Sequence, residues 1–124
     1  MKLPQDMEGR QSQKSYQLLE KANERGLIEE LTKQLNKDLS MCGLNVFIAE
    51  KQVPGEIVQN LKNILEDLVR DDFQGFLNLL YRVDVPKTRM RQSEESTFTD
   101  YIDKCAYELL KREWQKVWIR NKIQ

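Results

Sequence analysis

The chain has 124 residues, of which 40% are hydrophobic and 32% charged, and its 20 basic and 20 acidic residues cancel. This length fits one domain with its own core, and the balanced charge argues against a typical nucleic-acid binder, which carries a basic excess. The sequence contains no histidine and only two cysteines, which excludes imidazole-based triads, imidazole zinc sites and Cys₄ zinc sites.

The apolar runs and the N-terminal segment allow a prediction of the cellular compartment. No apolar run approaches the roughly 20 residues of a transmembrane helix, and the N-terminal segment lacks the hydrophobic stretch of a signal peptide. These features predict a cytoplasmic protein in which Cys42 and Cys105 are reduced.

The first half of the chain predicts helices and one connector. Residues 1–11 are polar and without periodicity, which predicts a disordered or loosely packed arm, and residues 12–124 are predicted to form a single helical bundle domain. Apolar residues recur every three or four positions from residue 12 to about 42. Gly26 either ends a first helix or lies within one long helix; we favour the break, and we expect Gly43 to end the second part.

The connector after Gly43 has the β-branched and aromatic content of a short strand, in residues 45–48. No second strand is evident, so we predict an extended connector around Val46. Pairing of this segment with its own copy in a dimer is the alternative.

The second half predicts further helices. Pro54 is placed to begin a helix, and Asp71 and Asp72 are placed either to cap a second helix or to lie within one continuous helix. Pro86 can begin a short helical turn. Thr97, with Asp100 three residues later, is placed to cap a final helix that runs to the end of the chain. The fold class is therefore all-α: a small bundle of three to four helices with one short extended connector.

The final helix carries the main candidate interaction surface. Trp114 and Trp118 are four residues apart, and Arg112, Lys116 and Arg120 form a row with the same spacing. We favour the interpretation that the tryptophans face a core or a partner chain, while the cations face water or acidic helices. The alternative is a surface for a polyanion or an anionic membrane.

Other charged and aromatic residues are candidates for anion binding, for helix orientation or for the edge of the core. Arg89 and Arg91 crowd a loop that is able to cradle an anion, although a solvated loop balanced by the glutamates that follow is the favoured interpretation. Residues 54–84 carry six acids against three bases, and residues 104–124 carry six bases against two acids, so the two regions can orient each other. The four tyrosines, Tyr81 among them, are predicted to lie at the edge of the core.

No residue pattern predicts catalysis, a cofactor or a metal site, so we expect a protein that is not an enzyme. The best-supported function is a protein–protein interaction or assembly module, acting as a homodimer through long apolar helix faces. The alternative is a nucleic-acid-associated protein that uses the basic C-terminal helix. In size and composition the chain resembles the small helical proteins common in bacterial genomes, without a shared motif.

Overall fold

The structure, a computed structural model, describes residues 3–90 and 97–123, without the side chains of residues 3–11, 87 and 123. It contains five α-helices in these ranges, with a short 3₁₀ turn at Lys87–Met90: α1 Leu3–Glu24, α2 Ile28–Met41, α3 Pro54–Asp71, α4 Phe73–Val83 and α5 Phe98–Ile123. The described part contains no strand, so the all-α class is confirmed. None of its helices is long and apolar enough to cross a membrane.

The predicted count of three to four helices is wrong, because both positions at which the sequence allowed a break do interrupt the chain. Gly26 has φ +72° between α1 and α2, and the Leu27 amide donates to the Ala22 carbonyl at 2.8 Å. At the second position, Asp72 Oδ1 accepts a hydrogen bond from the Gly75 amide at 3.0 Å and caps α4. At each break, hydrogen bonds between neighbouring residues satisfy backbone groups at the end of a helix.

Replacement of Gly26 by alanine should lower the free energy of unfolding by about 1 kcal/mol, because a left-handed backbone is unfavourable for residues with a Cβ. A Cβ at this position would meet no atom within 4 Å, so the cost is conformational rather than steric. Gly26→Asn should cost less, since asparagine tolerates this conformation better. Urea unfolding of the three proteins measures the difference; equal stability of the alanine variant would contradict the explanation.

Other predicted boundaries are also confirmed. Gly43 follows α2 with φ +75°, and Pro54 occupies the first turn of α3. Thr97 and Asp100 form a reciprocal cap, in which the Asp100 amide donates to Thr97 Oγ1 at 3.0 Å and the Thr97 amide donates to Asp100 Oδ2 at 3.3 Å. The predicted start of the first helix at residue 12 is wrong, because α1 begins at Leu3. The predicted loose packing of residues 1–11 concerns side chains outside the described part and stays a prediction.

The connector between α2 and α3 is extended and is held by one asparagine. Asn36 of α2 donates to the Ile48 carbonyl at 2.9 Å and accepts from the Ile48 amide at 2.7 Å. This pair of bonds satisfies the Ile48 backbone as a neighbouring strand would, and the Ile48 side chain is buried in the core. The connector therefore follows the bundle without forming a sheet.

Helix α5 lies at the centre of the bundle and contacts each of the other four helices. Its inner stripe is buried along most of its length: Ile102, Cys105, Ala106, Leu109, Leu110 and Val117. This stripe packs in one continuous core with apolar side chains from the other helices, among them Leu19, Leu31, Leu61 and Phe76. Charged residues of α5 that flank the stripe are thus placed against α2, α3 and α4.

Candidate functional site

The two tryptophans of α5 lie against protein. Their ring centroids are 5.8 Å apart, both side chains are half-buried, and Trp114 packs on the core. The Arg25 guanidinium lies 4.6 Å from the centroid of the Trp118 ring, which is within the range of a cation–π contact. The aromatic part of the predicted surface is therefore largely covered by the chain itself.

The row of cations on α5 is engaged by acidic side chains. Arg112 lies 3.6 Å from Asp84, Arg120 lies 3.5 Å from Glu30, and Lys116 contacts two carboxylates described below. Pairs that are this exposed add little stability, but they fix how the helices face each other. This arrangement matches the favoured interpretation of the row, in which cations meet acidic helices.

The predicted anion-binding loop is only partly described. Arg89 is exposed and lines a groove of about 270 Å³ together with cations of α5. Two acids, Asp84 and Glu108, line the same groove, so its charge is mixed. Arg91 lies outside the described residues, and its role stays a prediction.

A buried polar cluster, which was not predicted from the sequence, lies where α2, α4 and α5 meet. At its centre is Asp38 of α2, which is only 2% exposed. Its carboxylate accepts hydrogen bonds from Arg82 Nε at 3.0 Å, Lys116 Nζ at 3.3 Å and Gln34 Nε2 at 3.2 Å. Burial alone would raise the pKa of Asp38, but hydrogen bonds with Glu113, Gln34 and Lys116, and the charge of Lys116, lower it.

Glu113 of α5 is the second carboxyl of the cluster and is completely buried, at 0% exposure. Lys116 Nζ lies 2.9 Å from its Oε1, yet neither oxygen accepts a well-oriented hydrogen bond from any described residue. Burial, followed by a hydrogen bond with Asp38, raises the pKa of Glu113 to about 8. The raised pKa favours the protonated form of Glu113 beside the Asp38 carboxylate.

The pKa of Asp38 is lowered and that of Glu113 is raised, and carboxyls with pKa values shifted apart are common at acid–base sites. Both carboxyls are closed off from solvent, so a substrate cannot reach either of them in this conformation. The cluster is therefore suited to setting the packing of three helices, and to making that packing depend on pH.

The sequence contained a signal for this cluster. Glu113 lies four residues after Leu109 and four before Val117, both of which belong to the buried stripe of α5. Asp38 likewise follows Leu35 by three residues and Leu31 by seven on the inner face of α2. An acid on an apolar stripe predicts a buried partner, but the identity of that partner depends on which helices meet.

A second buried ion pair joins α3 to α5. Lys62 Nζ lies 2.7 Å from Asp103 Oδ1 and also donates to Ser12 Oγ of α1 at 3.2 Å. Since Asp103 is buried, this contact fixes the position of three helices around one ammonium group.

The two free thiols lie in surroundings that favour the neutral form. Burial raises the pKa of Cys105 to about 12 and also raises the pKa of Cys42. Reactive cysteines need the opposite shift, because the thiolate is the nucleophile. No described group of three or more acids and cysteines is arranged to hold a metal ion.

A row of exposed apolar side chains lies on the outward side of α4. Phe73, Leu77 and Tyr81 follow each other at intervals of four residues and are 51%, 39% and 87% exposed. We call these three residues the α4 outer face. Beside it lies a groove of about 540 Å³ whose lining includes Leu80, Val85, Met90 and Tyr101.

The prediction that Tyr81 lies at the core edge is wrong. The inner positions of α4, such as Phe76, Leu79 and Leu80, fill the core side of the helix. Tyr81 lies on the opposite side and projects into solvent. The four-residue spacing of Phe73, Leu77 and Tyr81 was visible in the sequence, but it indicates one apolar side of a helix without indicating what covers it.

The fold and its sites define a small all-α protein with five described helices, a buried carboxyl pair and one exposed apolar helix face. Comparison with protein-family models, with curated proteins and with solved structures finds no match for this chain.

Proposed function

We propose that the protein is a non-enzymatic assembly module that forms a homodimer through the α4 outer face. The observation that carries this proposal is the α4 outer face itself, because it leaves the apolar side chains of Phe73, Leu77 and Tyr81 exposed to solvent. Contiguous exposed apolar surface on a soluble domain marks an interaction site more often than chance.

The other classes receive less support from the geometry. Arg112, Lys116 and Arg120, which a nucleic acid would have to bind, are already paired with acids of the same chain. For catalysis, the two carboxyls with coupled protonation are buried away from any substrate. The assembly proposal, by contrast, rests on a surface that is open.

The mass in solution tests the proposal. At micromolar concentration, multi-angle light scattering should give twice the chain mass of 14.8 kDa. A mass of a single chain across this concentration range would contradict the homodimer.

Tyr81→Asp should weaken the dimer at least about 30-fold, because it places a charge within an apolar contact. Tyr81 makes little contact within its own chain, so the fold should survive, with an unchanged circular dichroism spectrum and melting temperature at low concentration. Ile119→Asp is the matched control, since Ile119 is also an exposed apolar residue but lies on α5. Equal effects of the two substitutions would show that the α4 outer face is not the contact.

A further inference from the structure

We infer that the place where α2, α4 and α5 meet is a proton-controlled joint, which is closed while Glu113 is protonated and opens to water when Glu113 and Asp38 are both ionised. The inference concerns a conformational change within one chain and does not depend on the proposed homodimer. Three observations support it: the burial of both carboxyls, the hydrogen bonds that Glu113 lacks, and the position of two cations between the carboxyls and solvent.

The two carboxyls of the joint are unequally satisfied. Asp38 accepts hydrogen bonds from Arg82, Lys116 and Gln34, which stabilise its charged form. The oxygens of Glu113 accept no well-oriented hydrogen bond from a described residue, and Lys116, the cation beside it, also contacts Asp38. An ionised Glu113 would therefore be a buried charge that lacks donors, whereas a protonated Glu113 is neutral and avoids this cost.

The charged and titratable groups around Glu113 lie on all three helices. Burial is the main cause that raises the pKa of Glu113 to about 8; Asp38 of α2 raises it further, and Lys116 of α5 lowers it. On α4, Arg82 acts on Asp38 through an ion pair at 3.0 Å and on the thiol of Cys42 through its charge. A rise in pH toward 8 therefore adds a second negative charge to this buried group.

Two flexible side chains separate the carboxyls from water. The side chains of Arg82 and Lys116 are 34% and 24% exposed, while those of Asp38 and Glu113 are 3% and 0% exposed. The cations therefore reach from the carboxyls to the surface, and a change of their rotamers admits water. Because Arg82 ties α4 to α2 and Lys116 ties α5 to α2, the same change releases the C-terminal turn of α2.

The two native cysteines report on this opening. Cys42 directly follows α2, is half-buried, and its amide donates to the Asp38 carbonyl at 3.2 Å. Cys105 is completely buried in the core side of α5, so it becomes accessible through unfolding of the core rather than through opening of the joint. Alkylation by iodoacetamide requires the thiolate, and peptide mass spectrometry gives a separate rate for each thiol.

The experiment compares Cys42 alkylation in the wild type and in Glu113→Gln, which has no carboxyl to ionise at this position. The wild type should react about as fast as the variant at pH 6 and at least about 5-fold faster at pH 8, since the ionised fraction of Glu113 rises about tenfold per pH unit below its pKa. The thiolate fraction of Cys42 changes with pH in both proteins, so the ratio of rates removes it. Glu20→Gln, at an exposed glutamate of α1, should match the wild type.

Dilute urea separates opening of the joint from global unfolding. Local opening exposes little surface, so urea well below the unfolding midpoint should leave the Cys42 rate of the wild type unchanged at pH 8, whereas the Cys105 rate should rise. A Cys42 rate that rises in step with the Cys105 rate would overturn the inference. Equal Cys42 rates in the wild type and Glu113→Gln at pH 8 would also overturn it.

The wild type alone tests the joint if Glu113→Gln does not fold. The protection of Cys42 is the ratio of its alkylation rate in the urea-unfolded chain to that in the folded chain at the same pH. This protection should fall at least about 5-fold from pH 6 to pH 8, because the opened fraction increases. Constant protection over this range would contradict the inference.

Discussion

Replacing Glu113 with glutamine should make the protein markedly more stable than the wild type at pH 8, and about equally stable at pH 5. The folded protein holds a proton on Glu113 up to a pKa of about 8, against an ordinary value of 4.5. Between these values the folded state binds one more proton than the unfolded state. The ionisation of Glu113 therefore lowers the stability of the wild type by on the order of 1 kcal/mol for each unit that the pH rises through this range.

Glutamine removes this titration while keeping a donor for Asp38. The raised pKa of Glu113 contributes stability that is fully present below pH 4.5 and is lost as the pH rises through 8. The Gln variant lacks this loss, so its advantage should grow to about 3–5 kcal/mol at pH 8. Urea unfolding at pH 5, 6.5 and 8 measures the two curves.

The control for this experiment is Glu20→Gln, because Glu20 is an exposed glutamate on α1. Its stability should follow that of the wild type at all three pH values. If the Glu113→Gln and wild-type curves also stay parallel from pH 5 to 8, Glu113 does not hold the proton.

The second large effect is expected for Asp38→Ala, which should lower the free energy of unfolding by about 3 kcal/mol at pH 6. Loss of one member of a buried charge pair costs about 3–5 kcal/mol when the remaining charge cannot reach water. Arg82 and Lys116 are partly exposed and can turn toward solvent, so the lower end of this range applies. The midpoint of urea unfolding should fall while the slope stays unchanged.

The cost of Asp38→Ala should also shrink at higher pH. Asp38 helps to raise the pKa of Glu113, both as a hydrogen-bond partner and as a negative charge. Without Asp38, Glu113 should ionise more readily and pair with Lys116, so the variant loses less stability than the wild type as the pH rises. Asp67→Ala, at an exposed acid on α3, should change stability by less than about 0.5 kcal/mol. If Asp38→Ala lowers the free energy of unfolding equally at pH 6 and pH 8, Asp38 does not influence the ionisation of Glu113.

The features that the sequence predicted correctly are those that depend on a few neighbouring residues. Gly26 and Gly43 adopt the left-handed backbone that ends a helix, and Thr97 and Asp100 cap α5 through bonds within three residues. The number of helices was underestimated because the sequence did not decide whether Asp71 and Asp72 cap a second helix or lie within one continuous helix. That choice depends on whether a straight or a turned chain buries more apolar surface.

The functional surfaces depend on contacts between distant parts of the chain. Asp38 and Lys116 are 78 positions apart, and Asp38 and Arg82 are 44 apart, so no local pattern links them. Helix α4 is a further example, because its apolar residues are more than its core side holds, and the packing of its neighbours determines which of them stay exposed.

The sequence by itself determined the helical class, the positions of the caps and the absence of histidine chemistry, since these follow from local propensity and composition. The tertiary structure alone decided that Asp38 and Glu113 share one buried site and that the α4 outer face stays open. The physical reason is that burial and charge pairing depend on which helix faces meet, and that is set by the packing of the whole chain.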